Sequence, residues 1–210
     1  QDASASLNPL VRVGKQLTET ILAHQRCTGK EARERAETLL DEVGIQDPGQ
    51  RMKQYPFELS GGMKQRVAIA IALACNPDLI IADEPTPGME LSLAGKAMED
   101  FRRFADMGNG VLLITHDIEL ALKVADRIAV FYAGTTVEEA LVSDFESEEL
   151  LRHPYTKALW RAMPRNGFHP IDGVQPYVKD LPKGCVFGPR CPDFSQECEG
   201  EIPERVIRCG

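Results

Sequence analysis

The sequence has no long apolar run. Its longest unbroken apolar stretch, Val67 to Cys75, is nine residues, far short of the ~20 that a membrane-spanning helix needs. Nor has it an excess of positive charge: 24 Lys and Arg stand against 32 Asp and Glu, a net charge of −8. With an isoelectric point near 5.1, the chain lacks the basic stripe of a dedicated nucleic-acid binder. No charged-then-apolar signal segment opens it, and it contains no internal repeat and no low-complexity tract. It also lacks an initiator Met, opening on Gln1-Asp2-Ala3, and so reads as a fragment or a processed piece. What is there is ordinary globular material, 43% hydrophobic and 27% charged over 210 residues. That is enough chain to bury a real core in one sizeable domain, or in one and a half small ones. A soluble, intracellular protein of mixed structure is the expectation.

Apolar spacing predicts helices first. Val13, Leu17, Ile21 and Leu22 recur at helical intervals, as do Ala32, Ala36, Leu39 and Leu40, with Gly44 placed to stop the second helix. Strand and helix then alternate. Ser60-Gly61-Gly62 opens a helix that Asn76-Pro77 ends, and Leu79 to Ala82 reads as a strand buried on both faces. A helix from Glu90 to Asp106 should turn Leu91, Met98 and Phe101 inward. Val111 to Ile114 and Arg127 to Tyr132 read as two more buried strands flanking a helix from Ile118. The pattern implies an α/β fold with a parallel sheet, of which only about half is visible. After Gly134 the order weakens: Glu138 to Met163 looks helical in parts, broken at His153-Pro154, and Pro and Gly then recur without periodicity.

Two stretches carry chemistry together. Leu59-Ser60-Gly61-Gly62-Met63-Lys64-Gln65-Arg66 sets a hydroxyl and two glycine amides at a helix N-terminus, where unsatisfied N–H groups and the dipole favour phosphate. The plainer reading is a Ser N-cap with glycine flanks. Asp83-Glu84-Pro85-Thr86 follows a strand, at the carboxyl end where open α/β sheets bind ligands. Asp83 is placed to hold Mg²⁺ and Glu84 to polarise an attacking water. At the far end, Cys185, Cys191, Cys198 and Cys209 fall within the last 26 residues, separated by five, six and ten. Clustering at one end suggests metal rather than a disulfide framework. Cys27 reads as a surface thiol and Cys75 as a small buried apolar residue.

The order Gln1, Leu59–Arg66, Leu79–Thr86 and Ile114-Thr115-His116-Asp117 resembles the nucleotide-binding subunit of ABC transporters over essentially the whole chain. The resemblance implies a partial P-loop NTPase (RecA-like) sheet with an ABC helical subdomain. It makes Ser60, Gly61, Gly62 and Gln65 nucleotide-binding residues of the signature motif, and Asp83 and Glu84 the Walker B pair, with Mg²⁺ on Asp83. His116 becomes the switch histidine and Gln1 the Q-loop glutamine. Two departures count. No G-x-x-x-x-G-K-(S/T) loop occurs in the sequence, so the chain alone is expected to be a very poor ATPase. The D-loop position reads Pro87-Gly88-Met89-Glu90 rather than the family's Ser/Ala-Leu-Asp, which puts coupling between paired nucleotide sites in doubt.

The tail narrows the resemblance. His153-Pro154-Tyr155-Thr156 and the run from Leu181 through Cys185, Cys191 and Cys198 resemble the C-terminal extension of peptide/nickel (oligopeptide and dipeptide) importer ATPases. Some of that group hold a 4Fe–4S cluster there, and carried over, Cys185, Cys191, Cys198 and Cys209 would be its four ligands. Four soft thiolates suit a cluster or Cys₄ zinc, and the lack of C-x₂-C pairs favours the cluster. Four reduced, unligated cysteines are the plain alternative. His153 is read as packing or capping locally rather than as a ligand.

The division expected is residues 1–58 as Q-loop and helical subdomain, 59–136 as signature helix and C-terminal half of the nucleotide core, and 137–210 as the Cys-rich extension. The function implied is ATP binding and hydrolysis that drives import of peptides, nickel or a related small solute. Implied cofactors are ATP, Mg²⁺ and the cluster, with Zn²⁺ as alternative. Implied partners are a second ABC ATPase subunit, two transmembrane permease subunits and, indirectly, an extracytoplasmic solute-binding protein, with no nucleic acid. The location implied is peripheral, on the cytoplasmic face of the membrane. Two other readings stand beside this one. A truncated, non-catalytic cassette would act as an iron–sulfur or zinc module. A soluble ABC protein working on nucleic acid or ribosomes would need a basic surface that this chain lacks.

Overall fold

The computed structural model describes residues 6–86 and 91–200. Gln1, Cys209 and the segment Pro87-Gly88-Met89-Glu90 lie outside the described residues. The chain divides into two compact units, Gln1–Asp117 and Ile118–Gly210.

In the first unit, α1 (Val13–His24), α2 (Gly29–Glu42) and α4 (Gly61–Leu73) pack together, with the short α3 (Pro48–Arg51) beside α2. The spaced apolar residues meet as expected: Val13, Leu17, Ile21, Ala32, Ala36, Leu39, Leu40, Val67 and Ala70 are fully buried in one cluster. Leu22 does not join it and is 44% exposed, because its position lies one step round the helix from Ile21. Thr28 starts α2 with a reciprocal capping box: its hydroxyl accepts from Glu31 N–H, and Glu31 accepts from Thr28 N–H at 2.7 Å. That backbone bond holds the Glu31 carboxyl below its ordinary range. Gly44 ends α2 at φ 76°, a conformation glycine adopts without penalty, and Arg66 of α4 donates to its carbonyl at 2.6 Å. Cys27 is half-buried against this core, so it is not the surface thiol expected, and Cys75 is half-buried too.

The chain then makes β1 (Leu79–Asp83), α5 (Leu91–Asp106) and β2 (Gly110–Ile114). The two strands pair in parallel, from Leu79 opposite Gly110 to Asp83 opposite Ile114, as a β-α-β unit requires. Helix α5 packs against β2 and buries Ala97, Met98 and Phe101. The expectation of strands buried on both faces is corrected: Ile80 and Ala82 are covered, while Leu79, Ile81, Leu112 and Ile114 are about half exposed. A strand pair with a helix against it shields the alternate residues facing that helix and no others.

The second unit opens with α6 (Ile118–Val124), then β3 (Arg127–Tyr132) and β4 (Thr135–Leu141). Here the parallel expectation fails for β3, which pairs antiparallel with β4. The cause is the two-residue link Ala133-Gly134, with φ of 48° and 82°. Positive φ at both central residues is the twist that closes a tight hairpin. The first part of the supposed helical stretch from Glu138 is thus a strand. Two short 3₁₀ turns follow, and α7 (Pro154–Arg161) completes the regular structure. Val130, Ala140, Phe145 and Leu151 form the core beneath, and Trp160 donates its indole N–H to the Phe145 carbonyl at 2.9 Å. Beyond α7 the described backbone holds only three-residue 3₁₀ turns, as the loss of periodicity implies.

Candidate functional site: a strand-end carboxylate and a cysteine-rich tail

Ser60 is the N-cap of α4, with extended backbone and its Oγ accepting from Met63 N–H at 3.3 Å. Gly61 and Gly62 occupy the first helical positions, whose amides have no partner within the helix. A Cβ added at either glycine would meet nothing within 4 Å, so the approach to this helix end is open. The arrangement is a place for an anion. Gln65, one turn further on, donates its side-chain amide to the Pro85 carbonyl. It thereby ties the helix to the residue after Glu84, a link that sequence spacing alone does not disclose.

Asp83 ends β1 half-buried, and Glu84 leaves the strand at φ 44° while its N–H still donates to Ile114 O at 2.8 Å. Left-handed backbone is costly for a side chain larger than Asn or Asp, and here it aims the Glu84 carboxylate toward the loop after β2. Its Oε1 accepts from His116 N–H at 2.9 Å and meets His116 Nδ1 at 2.7 Å, while Thr115 Oγ1 donates to Oε2 at 3.5 Å. Thr115 in turn accepts from Asp117 N–H at 3.1 Å, which orders the loop. The His116 ring is 85% exposed, and its hydrogen bond to Glu84, reinforced by the carboxylate's charge, raises its pKa above the ordinary value. Glu84 and His116, singled out separately by motif, are therefore in contact. Thr115, which lies in the same motif but is given no role there, joins them. Chemically the arrangement is a fixed carboxylate, able to accept a proton, next to Asp83, a hard oxygen donor of the kind that Mg²⁺ takes.

In the second unit Cys185, Cys191 and Cys198 share one neighbourhood. Cys185 N–H donates to Cys198 O at 2.9 Å, and a Cβ at Gly184 would collide with that same carbonyl. Burial pushes the Cys191 thiol up, and the nearby Cys185 and Cys198 add to the effect. Among the described residues, no three His, Cys, Asp or Glu side chains converge on one ion position. Phe187 is buried between Tyr132 and Tyr155, with ring centroids 5.3 Å from each, and packs with Cys185 and Cys191. Arg190 lies over Tyr132 and Phe187 and donates to the carbonyls of Ile171 and Asp172. His153 caps α7, its Nδ1 accepting Tyr155 N–H at 3.1 Å, while its Nε2 lies 3.7 Å from Cys185 Sγ. Glu138, buried on β4, accepts the backbone N–H of Arg152 at 3.0 Å and of His153 at 2.8 Å.

Comparison with known proteins identifies the family. The ABC transporter family model matches residues 1–87, and the model for the oligopeptide/dipeptide transporter C-terminal region matches residues 137–198. The dipeptide transport ATP-binding protein DppD of Bacillus subtilis is 42% identical over 99% of the chain. The chain spans 63% of that relative's length. The oligopeptide transport ATP-binding protein AppD of the same organism is 41% identical over the whole chain, which spans 67% of it. OppD of Mycobacterium bovis is 43% identical over 97% of the chain, which spans 34% of it. Among solved structures, the dimeric ATP-binding cassette MJ0796 bound to ADP and Pi matches with a TM-score of 0.60 at 31% identity. That match covers 65% of this chain and 59% of the other. The α/β architecture is that of the P-loop NTPase cassettes, and the chain belongs to the ABC transporter ATP-binding proteins of the oligopeptide/dipeptide family.

Proposed function

We propose that the chain is part of the energy-coupling subunit of a peptide importer, binding ATP and assisting its hydrolysis. The observation that carries this reading is the Glu84 carboxylate, held at the end of β1 by the backbone and ring of His116. In this reading the Ser60 hydroxyl and the Gly61 and Gly62 amides receive the terminal phosphates of ATP. Glu84 orients the attacking water and accepts its proton, and His116 keeps the carboxylate in place. Gln65 acts through Pro85, keeping the phosphate-binding helix end and the base in register. Asp83 supplies an oxygen for Mg²⁺, which neutralises phosphate charge when bound.

In this reading Ser60, Gly61 and Gly62 serve a nucleotide whose triphosphate is gripped by a second ABC subunit in a closed sandwich. Residues 1–58, with Gln1, would meet two permease subunits, and the solute-binding protein would be reached only through them. That places the protein on the cytoplasmic face of the membrane; among the described residues no helix is long and apolar enough to cross it. The relatives' names specify dipeptides and oligopeptides, which supports peptide as the solute over nickel.

The tail is read as a metal site with Cys185, Cys191, Cys198 and Cys209 as ligands. A zinc ion draws four donors to about 2.3 Å from one point, whereas a 4Fe–4S cluster gives each thiolate a different iron and keeps the sulfurs apart. Among the described residues no three such groups converge on one ion position, so the preference for the cluster rests on the four-thiolate donor set and its lack of C-x₂-C pairs.

Two experiments test the reading. In vesicles carrying the full-length protein with its permeases, Glu84→Gln should abolish ATP-driven peptide uptake while leaving nucleotide binding intact. Unimpaired uptake would overturn the assignment of the base. Anaerobic purification with iron, sulfide and zinc analysis decides the tail: about four iron and four sulfide per chain supports the cluster, one zinc supports the alternative, and neither removes the metal.

A further inference from the structure

His153 stands at the start of α7 with both ring nitrogens occupied. Nδ1 accepts the Tyr155 N–H at 3.1 Å, the N-capping bond of the helix. A nitrogen that accepts carries no proton, so a neutral ring must carry its single proton on Nε2. The ring is half-buried. Nε2 lies 3.7 Å from Cys185 Sγ, within reach of a hydrogen bond to sulfur. The helix cap therefore fixes the tautomer, and the tautomer fixes what the ring can do to the cysteine: donate to it.

We propose that His153 is a positioning residue of the cysteine site, giving its one ring proton, on Nε2, as a hydrogen bond to Cys185 Sγ. It follows that His153 is not itself a ligand. A ligating Nε2 needs its lone pair free and its proton on Nδ1, and the Tyr155 amide already holds the Nδ1 lone pair. The other groups around the ring support the geometry. Glu138 accepts the His153 backbone N–H at 2.8 Å and so anchors the residue through its main chain, leaving the ring to Tyr155 and Cys185. Phe187, with its centroid 6.1 Å from the ring, supplies apolar cover. The motif His153-Pro154-Tyr155 thus has a physical content: Pro154 opens the helix without needing a donor, Tyr155 supplies the amide that sets the tautomer, and His153 spans from the helix to the sulfur. The effect on a bound metal rests on the reading of the tail given above. A hydrogen bond to a ligating thiolate draws charge from the sulfur and raises the reduction potential of an iron–sulfur cluster.

Two substitutions separate the functions, because the side-chain oxygen of Asn falls near Nδ1 and the amide nitrogen of Gln falls near Nε2. His153→Asn keeps the cap and removes the donor to sulfur. His153→Gln keeps the donor and weakens the cap. The first measurement is a two-bond ¹H–¹⁵N spectrum of the full-length, metal-free protein labelled at histidine, with the His153 signals assigned by their loss in His153→Asn. The expected result is a neutral ring protonated on Nε2. A ring protonated on Nδ1, or on both nitrogens at neutral pH, overturns the proposal whatever the tail binds.

The second measurement uses the metal-loaded protein. With a cluster, His153→Asn should move the midpoint potential to a more negative value at unchanged iron content, while His153→Gln stays near the wild type. With zinc instead, His153→Asn should weaken binding about 10- to 100-fold, the usual effect of losing a hydrogen-bonded neighbour of a ligand. Equal potentials, or equal affinities, in wild type and His153→Asn refute the influence on the metal. Should the wild type take up neither metal, the metal reading of the tail fails by itself, and the ring spectrum still decides the bond to Cys185.

Discussion

Ser60 is given two separate tasks, one in folding and one in binding, and a pair of substitutions can pull them apart. In folding it is an N-cap: its Oγ accepts Met63 N–H at 3.3 Å, and the residue is exposed. A long bond at an exposed helix end belongs to the lower half of the capping range, so Ser60→Ala should cost about 0.5–1 kcal/mol. With a urea m-value of about 2 kcal/mol/M, the unfolding midpoint should fall by about 0.25–0.5 M. Asp caps as well as Ser, and its negative charge suits the helix dipole. Ser60→Asp should therefore unfold within about 0.3 kcal/mol of the wild type, or slightly above it. In binding the order reverses. A carboxylate where the phosphates of ATP would sit repels them, so Ser60→Asp should lose ATP hydrolysis in the assembled importer more completely than Ser60→Ala. Far-ultraviolet circular dichroism in urea and an ATPase assay on the same preparations give both numbers. If Ser60→Asp is as unstable as Ser60→Ala, the hydroxyl is not acting as a cap. If Ser60→Asp keeps wild-type hydrolysis, no phosphate approaches this helix end.

Gly14→Ala should destabilise by about 1–3 kcal/mol although alanine is the better helix former, because its Cβ would stand 2.8 Å from Met52 Cβ, Cε and carbonyl oxygen, and that carbonyl is pinned by Gly14 N–H; urea denaturation measures it. His116 should titrate above its ordinary value and return toward it in Glu84→Gln, as read by the ring proton shifts against pH. The sign follows from the raised pKa: the Glu84–His116 ion pair is complete below the ordinary histidine pKa of about 6.5 and is lost as pH rises through the folded-state value. Glu138→Ala should cost about 2–3 kcal/mol and loosen the start of α7, since it strips the backbone N–H groups of Arg152 and His153 of their acceptor; amide exchange at Arg152 and His153 should rise with it.

Much of this was legible in the sequence where a local rule governs. The helical core follows from residues three and four apart, and Ser60, Gly44 and Asn76-Pro77 mark helix ends by their own chemistry. The Asp83-Glu84 pair at a strand end is legible for the same reason. The failures share a cause: each depends on what stands across space. Apolar runs at Leu79 and Val111 read as doubly buried, but cover on one side protects only alternate residues. The hairpin at Ala133-Gly134 escaped because alanine is a poor advertisement for positive φ, and Glu138 and Glu139 break the alternation that would reveal β4. Glu138 faces inward only because two backbone donors arrive from residues 152 and 153. The partners of Gln65 and Thr115, twenty and thirty-one residues away, were likewise invisible to spacing.

The left-handed backbone at Glu84 has a consequence for how this chain tolerates change. Residues held there cost of order 1–3 kcal/mol, and glycine would be free of that cost. The fold carries that torsion at its proposed base, and the bonds that Glu84 accepts from Thr115 and His116 offset its cost. Glu84→Gly relaxes the torsion and removes those bonds together, so it should unfold near the wild-type midpoint and drive no transport. A screen for stability alone would pass it, and a screen for peptide uptake would discard it.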